Sequence, residues 1–222
     1  MVGERGMKAE YIDHLGSDLT VVNAARVSMD KHHVVFREGD TKLLKYLATH
    51  NHWTPFSHPQ ITMRETVPIF VARQRFKHMV GFTYNEVSRR YVDDTPEFYV
   101  PDVWRSRPEG SIKQGSGDGS IENPSFLWVD YGSQGDYAQF IELCSKNYEY
   151  LLEQGVAPEQ ARMILPQSMY TSFYVTGSLS AWARAYKQRI DPHAQVEIQD
   201  LAKQWGSIIS PLYPESWEAL TR

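Results

Sequence analysis

Two periods of hydrophobic and polar alternation run through this chain, and each change of period marks an element. Residues 17–28, SDLTVVNAARVS, and 40–50, DTKLLKYLATH, space their apolar side chains three and four apart. Both predict helices, the second with Asp40 as N-cap. HNHWTPFSHP, 50–59, is a polar and aromatic loop. QITMRETV, 60–67, then alternates apolar and polar side chains, as a half-buried strand does. Pro68 suits the first position of a following helix over 68–79, with Gly81 as its stop.

The second half is more helical. Phe140, Cys144, Tyr148 and Leu151 form one stripe of a helix ending near Gly155. Residues 156–165 give a short helix between Pro158 and Pro166. QSMYTSFYVTG, 167–177, is rich in β-branched and aromatic residues and predicts a strand. Helices follow over 178–189, with Ser178 near its start, and 191–208, with Asp191 as N-cap and Pro192 first. Residues 105–124 are rich in Gly, Ser and Pro and predict a long, mobile surface loop, an insertion rather than a lid. No repeat, heptad or linker divides the chain, so the expected organisation is one α+β domain over 1–222.

Composition narrows the function classes. The net charge is −4, which opposes a general nucleic-acid binder. There is no apolar run long enough for a membrane span and no signal-peptide core, so a soluble cytoplasmic protein is expected. The single cysteine, Cys144, excludes an internal disulfide, and its place on an apolar stripe suits a small buried hydrophobe better than a nucleophile. His50, His52 and His58 lack a cysteine or carboxylate to complete a metal set, so no metal is expected.

The unusual chemistry lies in FKHMVGFTYNEVSRRY, 76–91. From residue 73 to 90 five Lys or Arg residues accompany a single acid, Glu86. On a helix over 68–79, Arg73 would share a face with Lys77, and Gln74 with His78. The loop beyond would bring Asn85, Glu86, Ser88, Arg89 and Arg90. Arginine forks and loop N–H groups suit phosphate oxygens. Arg90 and Ser88 could take one phosphate, Lys77 a second anion, and Gln74 and Glu86 a base or ribose edge. A solvated charged face, or pairing with another subunit's carboxylates, stays open on the residues alone. Arg162, Arg184 and Arg189 lie further on, and pairing of Arg189 with Asp191 is the plain structural reading.

The same segment resembles the signature of the flavin-dependent thymidylate synthase (ThyX) family. There, Arg-His-Arg is followed by seven or eight residues and Ser, overlapped by NExSxRY. Here Lys77-His78-Met79 occupies the first place, eight residues intervene before Ser88, and NEVSRRY completes the second part. NAARVS (23–28), HNHWTPFSH (50–58), PIFVARQ (68–74), EFYVP (97–101), ARMILP (161–166) and RIDPHAQVEI (189–198) resemble family blocks in family order.

The resemblance implies a single α+β domain with a mainly antiparallel sheet flanked by helices. It implies reductive methylation of dUMP to dTMP, with 5,10-methylenetetrahydrofolate as carbon donor and NADPH as reductant through FAD, in a homotetramer whose sites are shared between subunits. By motif position, Arg73, Gln74, Glu86, Ser88, Arg89, Arg90, Arg162 and Arg189 would hold dUMP, with Arg189 the catalytic residue polarising the uracil. Ser28, Thr54, Lys77, His78, Met79, Asn85, Glu86, Ser178, Ser180 and Arg184 would line the FAD site. Such a route needs no cysteine nucleophile.

The chain departs from the family pattern at Lys77 and Met79, where Arg75 or Arg184 would have to compensate for lost charge. It departs again at Ser57, where many members have Glu, and at Ser178 and Ser180, where many have larger polar residues. A nucleotide-binding module without catalysis is the alternative, and an RNA-binding protein stacking bases on Tyr84 and Tyr91 is a third reading.

Overall fold

The computed structural model describes residues 6–92, 94–108, 115–127 and 134–222. In chain order its strands and helices are β1 (Lys8–Leu15), α1 (Asp18–Arg26), α2 (Glu38–Thr49), β2 (Gln60–Pro68), α3 (Ile69–Arg75) and β3 (Phe82–Glu86). Then come β4 (Trp104–Arg105), β5 (Ser120–Ile121), β6 (Phe126–Leu127), β7 (Gln134–Gly135), α4 (Tyr137–Glu153) and α5 (Pro158–Ala161). The chain closes with β8 (Tyr170–Ser178), α6 (Leu179–Arg189), α7 (Val196–Ile209) and α8 (Pro214–Thr221). The architecture is α+β, built on a mainly antiparallel four-stranded sheet in the order β1-β2-β8-β3. Two short pairs, β4 with β5 and β6 with β7, stand apart from it.

Among the described residues, two compact units divide the chain: one holds Gly6 and Met7 with those of Thr66–Arg73 and Glu86–Ser172, the other Lys8–Glu65, Gln74–Asn85 and Phe173–Arg222. The first has a small core in which Phe98, Ile141 and Met169 are buried against Ile69, Tyr137 and Leu165. A ladder of rings beside it joins Trp104, Phe126, Tyr137 and Phe140. The second unit holds the larger core. Val21, Leu44, Phe56, Ile61, Met63, Trp182, Ile198, Trp205 and Tyr213 there have no exposed surface. Burying that much apolar and aromatic surface is its main source of stability.

Local chemistry accounts for several boundaries. The Ser178 hydroxyl accepts the Ala181 N–H at 3.3 Å and caps α6. Asp18, buried at the start of α1, accepts the N–H groups of Glu215 and Ser216 at 3.0 and 2.9 Å, so one carboxylate caps α8. Gly177 lets β8 pass under Phe82, since a Cβ there would stand 2.4 Å from two atoms of that ring.

Some expectations are corrected. Pro68 ends β2 instead of opening a helix, and α3 stops at Arg75, so Lys77 and His78 lie in the turn beyond it. Arg73 and Lys77 therefore do not share a helical face. Residues 82–86 form a strand, not a loop, because Phe82 and Tyr84 supply alternate inward rings. Asp40 is the third residue of α2, where it receives the Arg37 N–H at 3.0 Å, and Arg37 holds the N-cap position. Asp191 binds His193 in a turn, and α7 begins later, at Val196. Of the stretch 105–124, residues 109–114 lie outside the described residues, while Trp104 and Arg105 pair with Ile121 and Ser120.

Candidate active site

Glu65 occupies the inward phase of β2 together with Ile61, Met63 and Val67, all without exposed surface. A carboxylate in that company needs a cation, and Arg75 supplies it: its Nε lies 3.1 Å from both carboxylate oxygens. Burial pushes the Glu65 carboxyl up and the Arg75 guanidinium opposes that shift. The guanidinium is enclosed by Phe82, Tyr84, Trp182 and Trp205, with ring centroids 4.5 to 5.3 Å from its carbon. Arg75 is thus enclosed in the core, with Nη2 buried and without a hydrogen-bond partner among the described residues, and cannot replace the charge missing at Met79.

From this buried pair a chain of hydrogen bonds leads outward. Arg75 Nη1 donates to Tyr84 Oη at 2.6 Å, and the Tyr84 hydroxyl donates to the His78 carbonyl at 2.6 Å. Burial pushes the Tyr84 phenol up to about 12, so it keeps its proton. The His78 imidazole is 6% exposed, and its Nε2 accepts a hydrogen bond from Arg189 Nε at 2.8 Å. Burial first, then the charges of Arg189, Arg75 and Arg184, bring its pKa down to about 4. At neutral pH the ring is therefore neutral, with its proton on Nδ1. Arg189 also donates from Nη2 to the Gln74 carbonyl at 3.3 Å. Its partner is His78, not Asp191. The Gln74 side chain binds Gln195.

Most other candidates in this unit lie on the surface, Ser178 being buried and Ser180 half-buried. Lys77 and Asn85 are exposed, Met79 is 73% exposed, and Arg184 donates to the Val80 carbonyl. Thr54 leads the turn Pro55–Ser57, and Ser28 donates to the Ala25 carbonyl at 3.2 Å. Ser57 meets Ser180 at 2.8 Å, and Ser180 meets Ser178 at 3.1 Å. The three serines at which the chain departs from the family pattern thus form one hydroxyl chain.

The other unit gathers a second set. Arg90 pairs with the Glu159 carboxylate at 3.1 Å, and Arg162 Nε donates to the Glu159 carbonyl at 3.2 Å, so α5 brings these two arginines to one residue. The Arg90 N–H donates to Ser88 Oγ at 3.3 Å, which places the serine in the same turn. Arg89 is tied to Asp94 and lies 5.8 Å from the Tyr148 ring centroid. That makes it a framework residue more than a free donor. Glu86 accepts the Thr171 hydroxyl at 2.6 Å, and Arg73 stands exposed. Cys144 is half-buried, and burial pushes its thiol up, which leaves little thiolate.

The amino-acid pattern alone does not single out Glu65; Arg75, expected to compensate for the charge missing at Met79, and Tyr84, expected as a stacking platform in the RNA-binding reading, are instead joined to it in one hydrogen-bonded network. One signal was available, an acid in the buried phase of an alternating strand. Among the described residues, no group of three or more His, Cys, Asp or Glu could hold a metal ion.

The fold is α+β, one unit setting Arg189 on a neutral imidazole and the other gathering Arg90 and Arg162 near Ser88. The family model for thymidylate synthase complementing protein matches residues 10–215. A flavin-dependent thymidylate synthase of Thermosipho africanus is 37% identical over 215 residues, 95% of this chain and 89% of that protein. One from Thermus thermophilus is 35% identical, over 94% of this chain and 73% of its own length. Among solved structures, the UMP/dUMP methylase PolB from Streptomyces cacaoi bound with 5-Br dUMP superposes with a TM-score of 0.79 at 30% identity, covering 98% of this chain and 96% of that one. The chain belongs to the flavin-dependent thymidylate synthase family.

Proposed function

We propose that this protein methylates dUMP to dTMP, taking the carbon from 5,10-methylenetetrahydrofolate and the reducing equivalents from NADPH through FAD. The observation that carries the reading is the bond from Arg189 to a neutral His78. Had the imidazole been charged, the guanidinium would have been repelled; instead it is held by one edge and by the Gln74 carbonyl. Nη1 makes no hydrogen bond among the described residues and is free to meet a uracil carbonyl. A fixed cation there favours the N3-deprotonated ring and stabilises negative charge on the carbonyl oxygen, without reorganising during the reaction.

In this reading Arg90, Ser88 and Arg162 take the nucleotide phosphate. Arg73, Gln74, Glu86 and Arg89 complete the dUMP contacts, Arg89 through the turn it anchors. The FAD contacts are Ser28, Thr54, Lys77, His78, Met79, Asn85, Glu86, Ser178, Ser180 and Arg184. Their chemistry suits such a group: Lys77 and Arg184 have no carboxylate partner among the described residues, and Ser180 precedes Arg184 by one turn of α6. FAD, when bound, supplies the two-electron chemistry that lets methylation proceed without a thiolate. The half-buried Cys144 agrees with that route.

A homotetramer with shared sites belongs to the same reading. It is supported by the large apolar side chains left on the surface, among them Val80 at 75%, Tyr91 at 82% and Met163 at 79% exposure. No helix among the described residues is long and apolar enough to cross a membrane.

The test is steady-state turnover with dUMP and, separately, UMP, beside dUMP titration of the FAD-loaded protein. Arg189→Ala should lower kcat by about a hundredfold or more, as loss of an oxyanion donor does, while far-UV circular dichroism stays unchanged. Normal turnover in that variant would remove Arg189 from the chemistry. Binding of dUMP with no turnover in the wild type would favour a nucleotide-binding module.

A further inference from the structure

The turn between α3 and β3 holds His78 at both its side chain and its backbone. The imidazole accepts Arg189 Nε at 2.8 Å. The His78 N–H donates to the Arg75 carbonyl at 3.1 Å, and the His78 carbonyl accepts the Tyr84 hydroxyl at 2.6 Å. The Gln74 carbonyl ties the same turn to Arg189, since it accepts both the Lys77 N–H and Arg189 Nη2 at 3.3 Å. A backbone carbonyl turned toward the interior needs a donor, and at His78 a side chain of β3 supplies it.

The Tyr84 hydroxyl is itself fixed. It accepts Arg75 Nη1 at 2.6 Å, and Arg75 is held by the Glu65 carboxylate, neither of the pair having exposed surface. The phenol ring meets Phe76 and Phe173 edge-on, with centroids 5.1 and 6.0 Å away. A hydroxyl that accepts from Arg75 has its own proton left to give, and the His78 carbonyl takes it. Packing does not ask for this arrangement. A phenylalanine at position 84 would fill the same space and keep the ring contacts, so the hydroxyl acts through its hydrogen bonds alone. A buried ion pair likewise adds little net stability by itself. What the network does is join β2, α3 and β3 to one point of the turn, the backbone of the residue that carries Arg189.

We propose that Tyr84 is a positioning residue for Arg189: its hydroxyl, aimed by Arg75 and Glu65, fixes the His78 backbone, and the His78 ring then sets the direction of the guanidinium. This rests on the reading of Arg189 as the group that meets the uracil carbonyl. Hydrogen bonds weaken steeply when bent, and a displacement of about 1 Å in a reacting group costs about a hundredfold in rate. The imidazole must also stay neutral, because a protonated Nε2 cannot accept from Arg189. The groups facing it are Arg189 and Arg184 from α6, Arg75 from α3 and Tyr84 from β3, with Glu65 of β2 behind Arg75. Burial is the largest cause of the low His78 pKa, so a loosened turn that admits water raises it from about 4 toward 6.5.

The experiment uses the full-length, FAD-loaded protein and compares Tyr84→Phe with Ile209→Val, a core deletion on α7 outside the network. Three quantities are read: kcat and dUMP KM, the pH profile of kcat, and the nitrogen-15 NMR signal of the Arg189 Nε–H, assigned by its absence from Arg189→Lys. In Tyr84→Phe, kcat should fall about ten- to a hundredfold with dUMP KM unchanged. The acid limb of kcat should move up toward pH 6.5, and the Nε–H signal, sharp in the wild type at neutral pH, should be lost. Ile209→Val should keep all three, although both variants melt at lower temperature. Glu65→Leu/Arg75→Met, which leaves the hydroxyl in place but unaimed and strands no charge, should change the three in the same direction, and it decides the matter if Tyr84→Phe does not fold. Wild-type kcat or a wild-type Nε–H signal in Tyr84→Phe, or in the double variant where that one stands in for it, would overturn the proposal. So would an equal fall of kcat in Ile209→Val, which would make the effect one of stability. If the wild type shows no turnover, the synthase reading falls by itself; the Nε–H signal still decides the positioning, and equal signals in wild type and variant reject it.

Discussion

His78 and Arg75 show how two neighbouring cationic-type residues acquire opposite roles from their surroundings. His78 is kept neutral by burial and by the arginines around it, with a pKa near 4 against 6.5 for a free histidine. The native state therefore binds fewer protons than the unfolded chain between these values, and stability rises with pH across that window. The contribution is full above about pH 6.5 and is lost as pH falls toward 4. At about 1.4 kcal/mol per pH unit, this is on the order of 3 kcal/mol. Thermal melts of wild type and His78→Asn between pH 4 and 7 should converge at the acid end; parallel curves would mean His78 does not titrate as described. Arg75 differs because Glu65 needs it. Arg75→Ala strands a buried carboxylate and should cost about 3–5 kcal/mol, whereas Glu65→Leu/Arg75→Met together should cost far less. Urea denaturation of the two variants compares these costs directly, and equal losses would show that the pair is not coupled.

At the scale of the element, what was legible in the sequence followed the strength of the pattern. β2 was legible because it alternates apolar and polar side chains, β8 because it is rich in β-branched and aromatic residues, and α6 because Ser178 caps a 3.6-residue period. β3 was not, because its Asn and Glu dilute the alternation and only the aromatic packing of Phe82 and Tyr84 inside the fold decides it. β1 and α8 were missed for a similar reason: β1 is mostly exposed, and α8 owes its N-terminal cap to Asp18, far away in sequence. The motif positions of the site were readable, but their partners were not, since bonds such as Arg189 to His78 join residues 111 apart. The close passage of β8 beneath Phe82 gives an element-scale prediction. Gly177→Ala places a methyl group 2.4 Å from that ring, which must move together with Trp182, 5.0 Å away centroid to centroid. The expected loss is about 1–3 kcal/mol, as for an overpacked core, read by calorimetry. A melting temperature equal to wild type would show that the ring yields freely.

For the molecule as a whole, the notable contrast is between an acidic chain and strongly basic local surfaces. A net charge of −4 repels phosphorylated ligands at long range, yet Arg73, Arg90 and Arg162 in one unit and Lys45, Arg184 and Lys187 in the other present cations to solvent. Capture of an anionic substrate is then a short-range event, governed by whichever cations lie within a Debye length of about 10 Å at 0.1 M salt. Raising NaCl from about 50 to about 500 mM shortens that length to roughly 4 Å and weakens exposed pairs such as Arg90 with Glu159 along with ligand contacts. Under the proposed function, KM for dUMP should rise several-fold across that range. kcat should change little, because Arg189 and His78 act from a partly buried, hydrogen-bonded position that salt screens poorly. Replacing Arg90 with Gln should both raise KM at low salt and flatten its salt dependence, since the screened charge is then gone. A KM independent of salt in the wild type would place the phosphate in a buried contact, and the exposed arginines would have to be given another role.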